Sequence, residues 1–314
     1  MGASLSSSGF SKLVECQDPP ELLPRYEYSR LDAEKDIRLI TLLPGEYLDP
    51  IRITIFHASL IIPDQPSQPS AWWATESLQT TLPNGWTVFL TCDNTLLFRE
   101  EATGKTSWTN PTPGVDLSRH PFPQQYPFAG FQPRYEALSY TWGLPQKTES
   151  VLIDTPTETR CLGIGHNLAT ALRHLRFKYK HRILWNDAIC INQEDFDERS
   201  KQVRRMADVY RMADRVVVWL GQESEDSKLA CATILHLGSQ VELSSDSNSS
   251  LQSPGCTEPE WWRGEQSLPY TEQQWQSLYN LLERQWFSRL WIWQEVRVAN
   301  HQAIVQCGTD QFGW

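Results

Sequence analysis

The chain has 314 residues, of which 40% are hydrophobic, and this content is enough to bury one large core or two smaller ones. Its formal net charge is -10 at pH 7. Because affinity for nucleic acid depends on clustered lysine and arginine, this acidic balance excludes broad binding to a phosphate backbone. We therefore expect no nucleic-acid partner.

The cysteines and the N-terminus indicate the compartment. The seven cysteines are scattered, with no CxxC pair and no histidines at zinc-ligand spacing, which predicts a reducing compartment and no metal. The sequence has neither an apolar run of about 18 residues nor a secretory signal, so we expect a cytoplasmic protein. The opening MGASLS fits the pattern for N-myristoylation on Gly2, with a random match in a serine-rich tail as the alternative. Peripheral membrane contact is expected only if Gly2 is acylated, and a single acyl chain anchors weakly.

A polar tail over residues 1–36 leads into two predicted strands and a linker. Residues 37–43 and 51–57 have the apolar content or the alternation of strands, and the proline-glycine pair between them predicts a turn. Residues 63–79 are rich in proline at their start, which blocks helices and central strands. We predict that they form a linker and mark a domain boundary.

A compact unit over residues 80–113 follows, and a second proline-rich linker over 114–133 bounds it. The unit resembles a WW domain in the order and spacing of Leu82, Pro83, Gly85, Trp86, Phe98, Thr106, Trp108 and Pro111. The resemblance implies a three-stranded antiparallel sheet whose small core is made by Trp86, Phe98 and Pro111. It places Trp108 on the opposite face, toward a ligand.

The unit departs from the WW pattern where a peptide would bind. Leu97 stands at the position of the tyrosine that usually precedes the core aromatic residue, and Glu101 stands at the ligand-contacting histidine position. Proline-rich peptides dock between aromatic rings, and Leu97 removes one such ring. Two alternatives stay open: a weak site for a proline-rich peptide that rests on Trp108 alone, with Leu97 and Glu101 at the other ligand positions, or a structural or divergent interaction role.

Beyond residue 133 strands and helices alternate, which predicts an α/β fold with a largely parallel sheet and helices on its faces. A helix capped by Asn167 is predicted between the first two strands. The segments with the composition of strands are 135–141, 183–191, 216–220 and 303–307.

Two later segments of this region differ in polarity. Residues 240–268 include SSDSNSSLQSPGC at 244–256, which has too little apolar surface to pack, so we predict a flexible insertion. Thr271 and Gln274 form a capping box, which predicts the start of a helix. The apolar stripe of that helix consists of Trp275, Leu278, Tyr279 and Leu282.

The first candidate site lies in NDAICINQEDFDER. Asp187 sits on or at the end of a predicted strand, where open α/β sheets place their binding crevices. A carboxylate between apolar neighbours is costly to bury unless it is paired or used. Asn192 and Gln193 follow in the loop, where they could hydrogen-bond a polar ligand.

The structural alternatives in the same loop are ordinary ones. Asp195 or Asp197 could cap the next helix, since Asx residues before a helix are usually caps. Glu198 and Arg199 could form a local ion pair.

The second candidate site lies in WFSRLWIWQEV, where aromatic residues surround Arg289 and Glu295. One interpretation is an aromatic helix packed on the sheet, with these two residues joined in a salt bridge. The other is a functional carboxylate, and nothing in the segment alone decides between them.

Three segments in order carry a family resemblance: YEALSYTWG at 135–143, LWNDAICINQEDFDERSKQV at 184–203 and RVVVWLG at 215–221. They resemble the heterokaryon incompatibility (HET) domain of filamentous fungi. The resemblance covers residues 37–62 and 134–314. It implies a discontinuous domain, similar in fold to Toll/interleukin-receptor (TIR) domains and interrupted by the WW-like unit.

The same resemblance implies a role in fungal self/non-self recognition or programmed cell death. Such domains usually act with a sensor or allelic incompatibility protein in trans and through self-association. In TIR domains a catalytic glutamate cleaves the nicotinamide glycosidic bond of NAD, and Ser288, Trp291 and Glu295 are similar to that segment in order, although not in spacing. Glu295, with Asp187 next, is therefore the implied catalytic residue.

NAD would be a substrate rather than a permanently bound cofactor, and the implied contacts are Trp142, Asn192, Gln193 and Trp291. The alternative is a non-enzymatic adaptor or decoy that works through self-association and WW-mediated contacts. An apolar crevice that holds Asp187 and Glu295 together favours the enzyme. Burial of the two carboxylates apart, in salt bridges, favours the adaptor.

Overall fold

The computed structural model describes residues 23–31, 35–61, 71–93, 95–115, 134–144, 146, 148–245, 249–299 and 302–314. Within these ranges the strands are β1 (Asp36–Leu42), β2 (Arg52–Ser59), β3 (Trp86–Leu90), β4 (Leu96–Glu100), β5 (Thr106–Ser107), β6 (Glu136–Tyr140), β7 (Glu149–Asp154), β8 (Thr159–Ile164), β9 (Arg182–Trp185), β10 (Arg215–Trp219), β11 (Val241–Leu243), β12 (Ser250–Gln252), β13 (Ile304–Cys307) and β14 (Asp310–Gly313). The helices are α1 (Ala71–Gln79), α2 (His166–Leu175), α3 (Asp187–Cys190), α4 (Phe196–Arg204), α5 (Met206–Met212), α6 (Ser227–Gly238), α7 (Glu272–Leu282) and α8 (Ile292–Glu295), with 3-10 turns at Trp261–Arg263 and Gln285–Ser288.

Nine strands form one mixed sheet in the order β14-β13-β10-β6-β9-β1-β2-β7-β8. Its centre, β13-β10-β6-β9, is parallel, as the alternation of strands and helices predicts. β1 pairs antiparallel with β9 on one side and with β2 on the other, so the early hairpin shares one sheet with the later chain. β2 and β7 are parallel, and both edge strands are antiparallel to their neighbours.

The core of this sheet lies around β10, the strand that the continuous apolar run predicts. Val216, Val217 and Val218 each have 0% exposure, which fits a strand covered on both faces. The strands predicted at 37–43 and 51–57 correspond to β1 and β2, and the turn between them is present.

Two predictions around the sheet need correction. The strand expected over 183–191 ends at Trp185, because the Asn186 side chain accepts a hydrogen bond from Ile189 N at 3.0 Å and so begins α3. Asn167 does not cap α2. Its amide donates to the Thr141 carbonyl at 2.5 Å and accepts from Trp219 Nε1 at 3.2 Å, since the ends of two neighbouring strands place both groups beside it.

A separate three-stranded antiparallel sheet, β3-β4-β5, lies within the unit at 80–113, and we call it the module. Its core contains Val88 and Phe98 together with Leu78 of α1, and Trp86 packs against them. Part of the expected linker, residues 71–79, is therefore a helix, which the absence of proline there permits. Gly2 and further parts of the tail and of both linkers, residues 1–22, 32–34, 63–70 and 116–133, lie outside the described residues.

The insertion expected to be flexible contains a hairpin instead. β11 and β12 pair antiparallel, and Leu251 is only 1% exposed. The prediction failed because it counted the apolar surface of this segment alone, whereas the module supplies a surface for it to cover.

α7 begins with the predicted capping box, since Gln274 N donates to Thr271 Oγ1 at 3.3 Å and Thr271 N donates to Gln274 Oε1 at 3.0 Å. Most of its apolar stripe faces outward, with Trp275, Tyr279 and Leu282 all about half exposed. In the part of the chain that the structure describes, each helix is too short or too polar to cross a bilayer.

Candidate functional site

A cleft of about 490 Å³ opens beyond the carboxyl ends of β6 and β9. This is the edge at which parallel α/β sheets generally bind their ligands. The residues that line it are Thr141, Trp142, Gly143, Asp187, Ile191, Gln193, Arg199, Val203, Met206, Arg289, Trp291 and Glu295. The two predicted carboxylates, 108 positions apart in the sequence, thus share one crevice.

Asp187 is the carboxylate with an unused acceptor. Its Oδ2 accepts a hydrogen bond from Trp142 Nε1 at 2.8 Å, whereas its Oδ1 is shielded from solvent and makes no hydrogen bond of good geometry within the described residues. The buried Tyr140 hydroxyl lies near this carboxyl, which helps to raise the pKa of the tyrosine. Burial raises the pKa of Asp187 to about 6, against the lowering effect of the Trp142 hydrogen bond, and the charge of Glu295 adds to the rise. The carboxyl can therefore exchange a proton near neutral pH.

Glu295 lies in the same crevice but is fully engaged. It has 0% exposure and forms a two-pronged ion pair with Arg289, with Oε1 to Nη2 at 2.6 Å and Oε2 to Nη1 at 2.9 Å. Ser139 Oγ also donates to Oε2, and Trp286 Nε1 donates to Ser139 Oγ at 2.8 Å. The pKa of Arg289 is raised in spite of burial, because its hydrogen bonds to Glu295 favour the charged form. The salt bridge that the sequence left open is present.

A buried arginine of the sheet, which the sequence analysis missed, stabilises the loop after α3. Arg38 of β1 is 1% exposed and pairs with both oxygens of Glu198, at 2.5 and 2.9 Å. Glu198 Oε1 also accepts from Asn192 N at 2.8 Å. Glu198 therefore pairs with Arg38 and not with Arg199, because a buried cation from the sheet lies beside it. The only signal for this in the sequence was an arginine inside an apolar strand.

Asp195 caps α4, since its Oδ1 accepts from Asp197 N and Glu198 N at 3.0 Å each. The capping alternative for this residue is therefore confirmed. Neither Asp195 nor Asp197 is among the residues that line the cleft.

Three of the four implied NAD contacts line the cleft. Trp142 and Trp291 are 47% and 46% exposed, so their rings are accessible to a ligand. Gln193 Nε2 donates to the Asp187 carbonyl at 2.7 Å, which fixes its side chain beside the carboxylate. Asn192 lies outside, because its side chain accepts from Glu194 N at 3.2 Å and lines two neighbouring pockets. Arg199 at the cleft is a further cation that the sequence analysis did not assign to a ligand.

The residues implied to hold a proline-rich peptide do not form an open surface. Leu97 has 0% exposure, so its side chain is covered in this structure. Glu101 accepts a hydrogen bond from Thr87 Oγ1 at 2.7 Å, and Trp108 remains 42% exposed. Within the described ranges, His, Cys, Asp and Glu nowhere gather in a group of three that could hold a metal ion.

The sheet and its cleft define the class: an α/β domain with a candidate ligand-binding crevice at the carboxyl ends of its central strands. The heterokaryon incompatibility protein (HET) family model matches residues 135–295, a range that includes every residue lining the cleft. The chain belongs to this family.

Comparison with curated proteins gives one relative. The chain is 33% identical over 206 residues to heterokaryon incompatibility protein 6, OR allele, of Neurospora crassa. The match covers 56% of this chain and 29% of that protein, so the chain spans less than a third of its relative's length. A search of solved structures gave no significant match.

Proposed function

We propose that this protein acts in fungal self/non-self recognition and cell-death signalling, and that its cleft cleaves NAD. Membership of the HET family and the name of the Neurospora relative support the first part. One observation carries the second: a shielded carboxylate oxygen of Asp187 lacks a donor of good geometry in a cleft lined by two half-exposed tryptophan rings. A ligand hydroxyl or a water molecule would supply that donor.

The lining of the cleft fits the parts of a dinucleotide. Trp142 and Trp291 offer flat apolar faces on which a nicotinamide or adenine ring can stack. Arg199 adds a cation suited to a phosphate oxygen. Asp187 Oδ1 would accept from a ribose hydroxyl or from the attacking water. The cleft of about 490 Å³ lies within the size range of small-molecule sites, roughly 300 to 1,000 Å³.

In the proposed reaction the bond between C1′ of the ribose and the nicotinamide nitrogen breaks, and nicotinamide leaves with the electron pair. A water oxygen forms the new bond to C1′, and the water gives one proton to the Asp187 carboxylate. With a pKa of about 6, Asp187 is mostly ionised at pH 7 and can then release that proton to solvent. Its negative charge also stabilises the positive charge that develops on the sugar.

Glu295 takes a positioning role in this proposal. The TIR-like resemblance implied that Glu295 reacts with the substrate, but Arg289 and Ser139 occupy both of its oxygens. The ion pair instead fixes Arg289 at the cleft and joins α8 to β6. Asp187 is the carboxylate that remains free to contact a ligand.

A non-enzymatic adaptor is the second candidate, and α7 favours it. Trp275, Tyr279 and Leu282 expose 47%, 59% and 56% of their surface on one side of a single helix. A contiguous apolar surface of this kind is typical of protein contact sites. Self-association or a sensor protein in trans would then carry the signal without turnover of NAD.

The test is NAD consumption by the purified protein, free and artificially clustered. We expect Asp187→Asn to lower turnover by about 100-fold or more, as for the loss of a general base. Asp197→Asn is the matched control, because it makes the same change at an exposed carboxylate outside the cleft. Full turnover in folded Asp187→Asn would refute its catalytic role. No turnover by the folded wild type in either state would favour the adaptor.

A further inference from the structure

The two faces of the module have different surroundings. In the β3–β4 register Val88 lies opposite Phe98, and both face the core with Leu78. Because side chains alternate along a strand, Leu97 and Arg99 lie on the other face. Leu97 has 0% exposure, although it is not part of the module's own core. Something else must cover this second face.

Residues 250–263 contact the second face. The Arg99 guanidinium lies over the ring of Trp262, 4.8 Å from its centroid. Thr106 Oγ1 donates to the Gln252 carbonyl at 2.8 Å. Thr106 belongs to the same face, since it lies opposite Arg99 in the β4–β5 register. The contacts combine a stacked aromatic ring with a hydrogen bond to the main chain, which is how extended peptides are commonly held.

The end of β3 adds main-chain pairing to this contact. Cys92 N donates to the Leu243 carbonyl at 2.9 Å, and Ser245 N donates to the Leu90 carbonyl at 2.8 Å. Thr91 and Ser244 thereby form an antiparallel bridge. The hairpin thus extends the module's backbone pairing, while Gln252 and Trp262 contact Thr106 and Arg99 on the second face.

The hairpin is built in a way that permits release. β11 and β12 share three residue pairs, and an isolated two-stranded hairpin is at best marginally stable in water. Its base is anchored separately, because Gln240 Oε1 accepts from Thr257 N at 2.8 Å and from Glu258 N at 3.0 Å. The face can therefore be uncovered while the base stays attached.

We propose that the second face of the module is a peptide-binding surface and that residues 250–263 occupy it as an intramolecular ligand. The partner that it fits is an extended peptide that offers an aromatic side chain to Arg99 and a main-chain carbonyl to Thr106. A tethered ligand competes at an effective concentration in the millimolar range, so a peptide in trans binds only once this segment is displaced. This proposal is independent of any NAD chemistry in the cleft.

The test uses the full chain and a fluorescently labelled synthetic peptide of residues 250–263 with Cys256→Ser. Anisotropy titration is run on the wild type, on Trp262→Ala and on Trp293→Ala. Trp293 is 66% exposed and does not line the cleft, so it controls for the loss of an indole ring. We expect saturable binding to Trp262→Ala at least tenfold tighter than to the wild type or the control. The same peptide with Trp262→Ala should not bind.

Two results would overturn the proposal. Equal binding to the wild type and to Trp262→Ala would mean that the face is already open. No binding to Trp262→Ala, with exchange protection of β3 to β5 retained, would mean that the contact is packing only.

A second variant covers the case in which Trp262→Ala does not fold. Arg99→Met keeps much of the side chain's length but loses the stacked cation. We expect its amide hydrogens over 250–252 to exchange at least tenfold faster than those of the wild type, with β6 and β10 unchanged. Unchanged exchange at 250–252 would contradict a ligand-like contact at Arg99.

Discussion

The cleft and the covered face of the module both contain tryptophan and arginine, but they differ in how their polar groups are satisfied. In the cleft Asp187 Oδ1 has no donor of good geometry within the described ranges, and the ring of Trp142 is half exposed. On the module Arg99 stacks on Trp262, and the Thr106 hydroxyl donates to Gln252. A buried polar atom without a partner costs about 1 to 3 kcal/mol. The cleft therefore gains when a ligand arrives, whereas the module has its partner in the chain.

The largest effect should come from the ion pair between Arg289 and Glu295 in the cleft. Arg289→Ala leaves Glu295 buried without its cation, and we expect the free energy of unfolding to fall by about 3 to 5 kcal/mol. Urea denaturation at pH 7.5 measures it. The control Arg297→Ala removes an exposed arginine two positions beyond Glu295 and should change stability by less than about 0.5 kcal/mol. Equal losses in both variants would show that the ion pair is not a structural element.

The module's core should give the next effect, and it should stay local. Phe98→Ala removes a ring that is 1% exposed, and we expect a loss of about 3 kcal/mol. Hydrogen exchange should accelerate in β3 to β5 and remain unchanged in β6 and β10. Trp108→Ala, at a half-exposed ring in the same module, should cost less than about 1 kcal/mol. Faster exchange in the central sheet would show that the two regions unfold together.

Asp187 should give a smaller effect of opposite sign. Its folded-state pKa of about 6 exceeds its unfolded value, so ionisation above pH 6 destabilises the fold, and the penalty fades as the pH falls toward 4. We expect Asp187→Asn to raise stability by about 2 kcal/mol at pH 7.5 and to be nearly neutral at pH 4. Urea denaturation across this range measures it. If the variant were less stable than the wild type at pH 7.5, ionisation of Asp187 would not be destabilising the fold.

The smallest effect concerns the indole of Trp142. Trp142→Phe keeps an aromatic ring but removes the hydrogen bond from Trp142 Nε1 to Asp187 Oδ2. In the wild type this hydrogen bond lowers the pKa of the Asp187 carboxyl. We expect the pKa of Asp187 to rise further, by about one unit, or about 1.4 kcal/mol between the two protonation states. Carbon-13 NMR titration of the Asp187 carboxyl would detect the shift, with Trp291→Phe as the control at the other ring. An unchanged pKa would mean that the Trp142 hydrogen bond does not stabilise the ionised form of Asp187.

Local patterns determined much of this protein from the sequence alone. The alternation in β1 and β2, the apolar run of β10 and the capping box of α7 each depend on residues within a few positions of one another, so the sequence predicts them well. Asp187 was expected on or at the end of a strand over 183–191, and it lies two residues beyond β9, at the start of α3. The HET motifs identified the family that the comparison shows.

Only the tertiary structure decided which partners the side chains take. Glu198 meets Arg38 from 160 positions away, and Glu295 meets Ser139 from 156 positions away. β11 and β12 pair beside the module, where Ser244 bridges Thr91, and the stripe of α7 faces outward while α6 packs against the helix. The reason is physical: helix capping and hydrophobic periodicity depend on neighbours along the chain, whereas burial and ion pairing depend on neighbours in space.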